Sequence, residues 1–217
     1  SFNPPKVAGI DDVSGEPLIA AFGHLNESKR VPQLLEAFAR IRADRPGARL
    51  LLVGAPAPNY DVSHFLQRLG LDGDGVEVTG YVDEARLWSL MTAADIHVNL
   101  RSPTMGETSG TAIRALSLGK PLIVSDLGWF AELPDTVALK VPPDESEIDT
   151  LTAALELLVS NGEVRETMGA HARALAESKH AVGAVAGAQV AAFERIAGGR
   201  PVADELLAEV SRAAAEV

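Results

Sequence analysis

Short apolar runs alternate with segments of helical period along most of this chain, and that alternation constrains the fold more than any other feature. Each run is bounded by turn residues, and the intervals between runs are long enough for the crossovers that parallel strands require. Such alternation is typical of βαβ units. We therefore predict an α/β fold built on a doubly wound parallel sheet of about six strands. The predicted strands cover 18–23, 48–54, 76–81, 95–100, 121–126 and 137–141, and the predicted helices cover 31–44, 62–70, 84–94, 109–119 and 146–161.

Both ends of the chain differ from this pattern. Residues 1–16 contain prolines and no initiator methionine, so we interpret them as a linker and the chain as a fragment of something longer. An Ala-rich helical region follows Gly162, and we predict one domain over 17–197 with a C-terminal helical tail at 198–217. No apolar run approaches the roughly 20 residues that span a bilayer, so we expect no transmembrane segment.

Composition excludes several function classes. The chain carries 30 Asp and Glu against 19 Lys and Arg, a formal charge of -11, which disfavours nucleic acid as a partner. It has no cysteine, which excludes disulfides, thiolate metal sites and cysteine nucleophiles. A reducing cytoplasm is compatible with this composition and is the expected location. Because the histidines lack metal-ligand spacing, we expect no metal site and interpret them as surface or core residues.

The first strand runs into FGHLNESKR, which lacks the GxGxxG turn of dinucleotide-binding enzymes. Gly23 lets the backbone approach a ligand, and His24, Asn26, Lys29 and Arg30 crowd the start of the next helix. Cations at the carboxyl end of a strand suit a diphosphate. The alternative is that Lys29 and Arg30 are solvated surface charges and His24 is an ordinary loop histidine.

A second candidate region is the polar, glycine-bearing loop in 101–126 that opens a helix. Helix N-termini leave backbone N–H groups without intrahelical partners, so Ser109, Gly110 and Thr111 suit an anionic or hydroxyl-rich ligand. Glu107 adds a carboxylate, and we predict a nucleotide-sugar as the guest. The alternatives are a solvated loop acid at Glu107 and ordinary N-capping by Ser109.

The order of these motifs resembles the C-terminal, donor-binding domain of the group 1 retaining glycosyltransferases with the GT-B fold, from Pro17 to Ile196. The resemblance implies a Rossmann-like domain with C-terminal helices, one half of a GT-B fold. It also implies a nucleotide-diphosphate-sugar donor, no metal or other cofactor, and an acceptor-binding N-terminal domain as the missing partner. We therefore expect this chain alone to be inactive.

Within that family the first junction usually reads G-R-L-x-x-E-K-G, and this chain matches it at Gly23, Leu25 and Lys29. The match implies that Lys29 binds the donor diphosphate. His24 occupies the position of the family's phosphate-binding arginine, and Arg30 replaces the usual final glycine. One interpretation is that the cation has moved within this loop.

The segment from 76 to 103 resembles the family's next strand, turn and short helix. The resemblance implies that Gly80, Tyr81 and Val82 hold the nucleobase through main-chain atoms, which leaves UDP, GDP and ADP undistinguished. For Tyr81 itself we favour packing at a strand end over stacking on the base. Trp88 and Met91, three residues apart on a helix, are predicted to be core.

Family members also carry two glutamates across the second loop, one facing the donor sugar and one binding the ribose hydroxyls. Counting back from Gly119 places Arg114 at the second position and Gly106 at the first, with Glu107 one residue late. A loop shorter by one residue would give Glu107 the sugar-facing role. Arg114 only donates hydrogen bonds, so it does not replace a ribose-binding carboxylate but suits a phosphate.

The leading hypothesis is thus the donor-binding domain of a metal-independent retaining glycosyltransferase, with Glu107 and Lys29 as its catalytic residues. The alternative is a degenerate nucleotide-binding or scaffold module, for which Arg114 is the best support. A nucleotide-sugar epimerase of the same architecture is a weaker third reading. The sequence names neither the sugar nor the acceptor.

Overall fold

The computed structural model describes residues 17–73, 75–180 and 182–196. Its sheet has six parallel strands in the order β3-β2-β1-β4-β5-β6, so the predicted doubly wound α/β fold is confirmed. Every predicted strand is present, with ends within about two residues of those expected from the sequence. The strands are β1 Leu18–Phe22, β2 Arg49–Val53, β3 Val76–Gly80, β4 Ile96–Asn99, β5 Leu122–Ser125 and β6 Ala138–Val141.

Helices connect and follow these strands, and the five predicted ones are all found. They are α1 Val31–Asp44, α2 Val62–Arg68, α3 Glu84–Ala93, α4 Gly110–Ser117, α5 Glu147–Ser160, α6 Gly162–Leu175 and α7 Val182–Ile196. Short 3₁₀ turns cover Glu27–Lys29 and Gly128–Glu132, and a π-helical turn covers Ala176–His180. None of the helices in the described ranges is long and apolar enough to cross a membrane.

The described residues fall into two compact units, 17–173 and 174–196. The first holds the sheet, α1 to α5 and α6 as far as Arg173, and the second holds the last two residues of α6, the π-helical turn and α7. The predicted linker at 1–16 and the predicted tail at 198–217 lie outside the described residues.

The sheet is apolar because helices cover both of its faces. Every residue of β4 and β5 is buried, and so is β2 from Leu50 onward. Sheets buried on both faces have strands that are continuous apolar runs, which is why the sequence revealed them. The edge strand β3 is only half-buried. On α1, Leu34, Phe38 and Ile41 recur at helical spacing and are buried in the same core.

Strand order reverses between β1 and β4, which are adjacent although β2 and β3 separate them in sequence. In open α/β sheets the carboxyl ends of the strands at such a reversal form a crevice where ligands bind. The loops that follow β1 and β4 therefore begin side by side at this edge.

His97 on β4 is fully enclosed and stacks on Phe22, with ring centroids 5.1 Å apart. Its Nε2 lies 2.9 Å from the Met91 carbonyl oxygen, so Nε2 carries the hydrogen and donates. Burial lowers the pKa of His97 to about 3, so the ring is neutral in the folded protein. Of the two alternatives that the sequence left for the histidines, surface or core, His97 is a core residue whose ring is hydrogen-bonded.

The neutral state of His97 makes stability depend on pH. The unfolded chain binds a proton near pH 6.5 and the folded chain only near 3, so acid favours unfolding throughout that window. We expect His97→Gln to remove about 2–3 kcal/mol of the loss in unfolding free energy between pH 7 and pH 4.5. Urea unfolding of both proteins across this range measures the difference. Equal pH dependence in the two proteins would contradict the assignment.

A close backbone contact joins α6 to the end of α4. A methyl group at Gly169 would overlap the Gly119 carbonyl group, so we expect Gly169→Ala to lower the unfolding free energy by about 2 kcal/mol or more. Gly162, also on α6, has only Arg165 within ordinary contact distance. The control Gly162→Ala should be neutral or slightly stabilising, and urea unfolding that ranks the two variants equally would refute the contact.

Candidate functional site

Two loops meet at the carboxyl ends of β1 and β4. The Ser102 amide donates to the Ser28 carbonyl oxygen at 2.8 Å. This hydrogen bond holds the loop after β4 against the 3₁₀ turn that carries Lys29. The structure thereby brings the first junction, 23–30, and the second candidate region, the loop after β4, together at the reversal of strand order.

Lys29 lies half-buried within this junction. Its Nζ donates to the Phe22 carbonyl oxygen at 3.3 Å and lies beside Gly23, where a Cβ atom would come within 3.2 Å of it. Burial, followed by the charge of Arg101, lowers the pKa of Lys29 to about 8, and Glu107 partly offsets this. Asn26 caps the turn by accepting from the Ser28 amide at 3.1 Å.

Gly23 also explains the path of the chain after β1. It has a φ of +113°, and Gly54 after β2 has a φ of +150°. A Cβ atom at Gly54 would overlap the Gly23 carbonyl group, so the two loops touch through their backbones. His24 next to it is exposed.

Glu107 is exposed but held in place by three donors. Its Oε1 accepts from Arg101 Nη1 at 2.6 Å, and its Oε2 accepts from Thr104 Oγ1 and the Met105 amide, each at 2.9 Å. Hydrogen bonds from its own amide, Thr104 and Met105 lower the pKa of Glu107. Gly106 has a φ of +83°, which L side chains rarely adopt, so this position disfavours the glutamate of the family pattern.

Asn99, the last residue of β4, hydrogen-bonds the N-terminus of α4. Ser109 Oγ accepts from the Ala112 amide at 3.3 Å, so Ser109 is the N-cap, as its alternative reading predicted. Asn99 Nδ2 donates to Ser109 Oγ and to Thr111 Oγ1, each at 2.9 Å. The buried Asn99 Oδ1 has no hydrogen-bond partner among the described residues. Gly110, the first residue of α4, leaves open space where a side chain would be.

The Arg30 guanidinium forms an ion pair with the carboxylate of Glu147, which is 117 positions away in sequence. Its Nε lies 3.0 Å from Glu147 Oε1 and its Nη2 also donates to this group. Glu147, the first residue of α5, is 2% exposed, so its carboxylate is buried against Arg30 rather than solvated. The reading of Arg30 as a solvated surface charge is therefore wrong. Its φ of +53° fits the glycine that the family has there.

Arg114 lies over α3. Its guanidinium carbon is 5.4 Å from the centroid of the Trp88 ring, and Nη2 is 4.0 Å from Glu84 Oε1. The cation therefore packs on an aromatic face and an acid of the neighbouring helix. Trp88 and Met91 are buried, as predicted.

The turn after β3 is open to solvent. Gly80 has a φ of +68°, Tyr81 is 86% exposed and Val82 is half-buried. The preferred reading of Tyr81 as a packing residue is therefore wrong. The turn lies at the same edge of the sheet as Lys29, but β2 stands between β3 and β1.

Sequence reasoning missed two residues at the site, Asn99 and Arg101. Asn99 is the last residue of the fully buried strand β4, and Arg101 lies two residues later. Polar residues at the end of an otherwise apolar strand were the sequence signal that could have identified both. Within the described residues no group of three or more His, Asp or Glu side chains is placed to hold a metal ion.

Comparison with known families assigns this chain. A family model described as glycosyl transferases group 1 matches residues 16–161, which include β1, β4, α4 and the ion pair to α5. The chain belongs to the group 1 glycosyltransferases. The first junction and the loop after β4 both lie inside the matched region.

Relatives of this glycosyltransferase chain agree with that assignment. A GDP-mannose-dependent monoacylated alpha-(1-6)-phosphatidylinositol monomannoside mannosyltransferase of Corynebacterium glutamicum is 30% identical over 181 residues, covering 80% of this chain and 45% of the relative. The chain spans about half the length of the curated relatives it matches.

Solved structures share the fold. The C-terminal domain of the group 1 glycosyltransferase LpcC from Francisella tularensis superposes with a TM-score of 0.68 at 20% identity, covering 77% of this chain and 88% of that one. Anabaena HepE, solved in complex with UDP, has a TM-score of 0.65 at 21% identity, covering 74% of this chain and 44% of that one. The Rossmann-like half of the GT-B fold is thus the architecture of this chain.

The Arg30–Glu147 pair should stabilise the junction of α1 and α5. Replacing Arg30 by glycine relieves the positive φ but leaves Glu147 buried without its cation, so we expect Arg30→Gly to cost about 2 kcal/mol of unfolding free energy. The double variant Arg30→Gly/Glu147→Gln should recover most of that loss, as urea unfolding would measure.

An exposed pair between the same two helices supplies the control. Arg40 Nη1 and Asp149 Oδ1 are 2.6 Å apart, with both side chains solvent-exposed. We expect Arg40→Ala to cost less than about 1 kcal/mol, because exposed ion pairs contribute little. Equal losses for Arg30→Gly and Arg40→Ala would contradict the importance of the buried pair.

Proposed function

We propose that this chain is the donor-binding domain of a retaining, metal-independent glycosyltransferase and that it binds a nucleotide-diphosphate-sugar at the reversal of strand order. One observation carries the proposal: the Lys29 ammonium, the Glu107 carboxylate and the N-terminus of α4 meet at the carboxyl ends of β1 and β4. A cation and free amides suit a diphosphate, and a held carboxylate suits sugar hydroxyls.

Lys29 is the proposed partner of the diphosphate leaving group. Its ammonium is held by the Phe22 carbonyl oxygen beside Gly23, whose missing side chain leaves room for a phosphate to approach. The amides of Gly110 and Thr111 at the start of α4 add a partial positive charge. Fixed cations and dipoles lower the barrier where leaving-group charge develops, so no metal ion is required in this proposal.

Glu107 is the proposed sugar-orienting residue. Three donors fix its carboxylate, and its lowered pKa keeps it ionised at neutral pH. An ionised carboxylate only accepts hydrogen bonds, which matches the hydroxyl donors of a sugar.

The exposed turn at Gly80–Val82 is the proposed nucleobase contact, where the exposed Tyr81 ring would stack on the base. The named relatives use GDP-mannose in one case and were solved with UDP in another, so the base is left for experiment.

Transfer needs an acceptor site as well, and in this proposal a second domain supplies it. The chain covers about half of its curated relatives, which fits a donor half that works with an acceptor half. We expect this chain alone to bind nucleotide weakly and to transfer no sugar. A sugar-transfer assay showing turnover by the isolated chain would refute that part of the proposal.

A degenerate binding module is the second candidate function. Arg114, which packs on Trp88 and Glu84, stands where the family places its ribose-binding glutamate. Product analysis with both domains present separates the two: transfer supports the enzyme, and nucleotide binding without turnover supports the module.

Calorimetric titration with UDP, GDP and ADP in metal-free buffer tests the donor site. We expect one nucleotide to bind selectively and Lys29→Ala to weaken it roughly ten-fold, because a charge-assisted hydrogen bond is lost. Since the pKa of Lys29 is about 8, wild-type affinity should fall as pH rises above that value, and the variant should lose this dependence. Lys179→Ala, an exposed lysine on the π-helical turn, is the matched control. Binding unaffected by Lys29→Ala would overturn the assignment.

A further inference from the structure

We propose that Arg101 is the second diphosphate-binding cation of this site and takes the role that the family resemblance gives to an arginine at the position of His24. The inference rests on the proposed donor-binding function and adds a residue to it. It follows from where the backbone and the guanidinium of Arg101 are held.

The backbone of Arg101 is tied to both sides of the crevice. Its amide donates to Ser125 Oγ at the end of β5, at 2.8 Å. The next amide, of Ser102, donates to the Ser28 carbonyl oxygen at 2.8 Å. Arg101 is therefore fixed next to the turn that carries Lys29, although the two residues are far apart in sequence.

The guanidinium of Arg101 has donors to spare. Nη1 donates to Glu107 at 2.6 Å, while the buried Nε has no hydrogen-bond partner among the described residues. A guanidinium offers five N–H donors in a planar fork that matches phosphate oxygens. A donor without an acceptor is costly, so an anionic ligand beside Arg101 would gain by accepting from the guanidinium donors that Glu107 does not use.

The charges of Lys29, Arg101 and Glu107 also favour an anionic ligand. Arg101 is close enough to Lys29 to lower the pKa of that ammonium, and Glu107 is the carboxylate that faces both. Two cations and one carboxylate leave a net positive charge at the crevice of a chain whose overall charge is -11. A diphosphate would neutralise the excess, since local field rather than net charge attracts a ligand.

The other candidate cations of the junction have different surroundings. The Arg30 guanidinium is bound to Glu147, and Arg114 lies over Trp88 on α3. His24 is exposed in the loop after β1. Arg101 is the guanidinium that the geometry places beside Lys29.

A competing explanation is that Arg101 only positions Glu107. The two explanations predict opposite effects of Glu107→Gln on binding of a nucleotide that carries no sugar. If Arg101 binds the diphosphate, Glu107→Gln removes a competing anion, and affinity stays equal or rises. If Arg101 serves only Glu107, removal of either residue weakens binding alike or leaves it unchanged alike.

Calorimetry with the full chain and metal-free UDP, GDP and ADP, together with their monophosphates, makes the test. We expect Arg101→Met to weaken the preferred diphosphate roughly ten-fold or more, with a smaller effect on the monophosphate. Arg101→Lys should recover part of the loss because the charge remains. Arg68→Met, which removes an exposed arginine from α2, is the control, and circular dichroism checks that each variant is folded.

The possible results distinguish a failure of the role of Arg101 from a failure of the proposed donor-binding function. No binding of any nucleotide by the wild-type chain overturns both. Binding that Lys29→Ala weakens but Arg101→Met leaves unchanged overturns the role of Arg101 alone, as does an equal loss in Arg101→Met and Glu107→Gln. Should Arg101→Met fail to fold, Arg101→Lys and Glu107→Gln decide the question with the same opposite signs.

Discussion

Backbone pairing of β1 with β2 on one side and β4 on the other is the constraint on which the rest of this structure depends. Ala20 pairs with Leu51 across one edge and with His97 across the other. Because all strands are parallel, their carboxyl ends share one edge, and the loops after β1 and β4 are forced together there. Lys29 and Glu107, remote in sequence, become neighbours through this pairing.

The sequence predicted the sheet well for a physical reason. Strands buried on both faces must be apolar throughout, and α1 shows its buried face at helical spacing, so periodicity carried most of the fold. The partners of charged side chains were not readable in this way. Arg30 meets Glu147 across 117 positions of sequence, and only tertiary packing brings them together. Tyr81 looked like a packing residue because exposure at the edge strand leaves no local signature.

Within the proposed site, the resemblance indicated candidate residues but not their surroundings. It indicated a lysine at the diphosphate and a carboxylate in the second loop, at Lys29 and Glu107. It gave no account of Asn99, which orients two hydroxyls at the start of α4. Such supporting residues are found by tracing each buried polar atom to its partner, since a buried polar group needs one.

The departures from the family pattern at positions 24 and 30 are then related to each other. A glycine at position 30 would adopt its positive φ freely, whereas Arg30 does so at a cost of roughly 1–3 kcal/mol. The ion pair with the buried Glu147 carboxylate offsets that cost and links the start of α1 to the start of α5. Because the Arg30 guanidinium is bound to Glu147 and position 24 is a histidine, Lys29 is the cation that the first loop contributes to the proposed diphosphate site. On the inference drawn above, the second comes from the loop after β4, which the same strand pairing has already placed beside it.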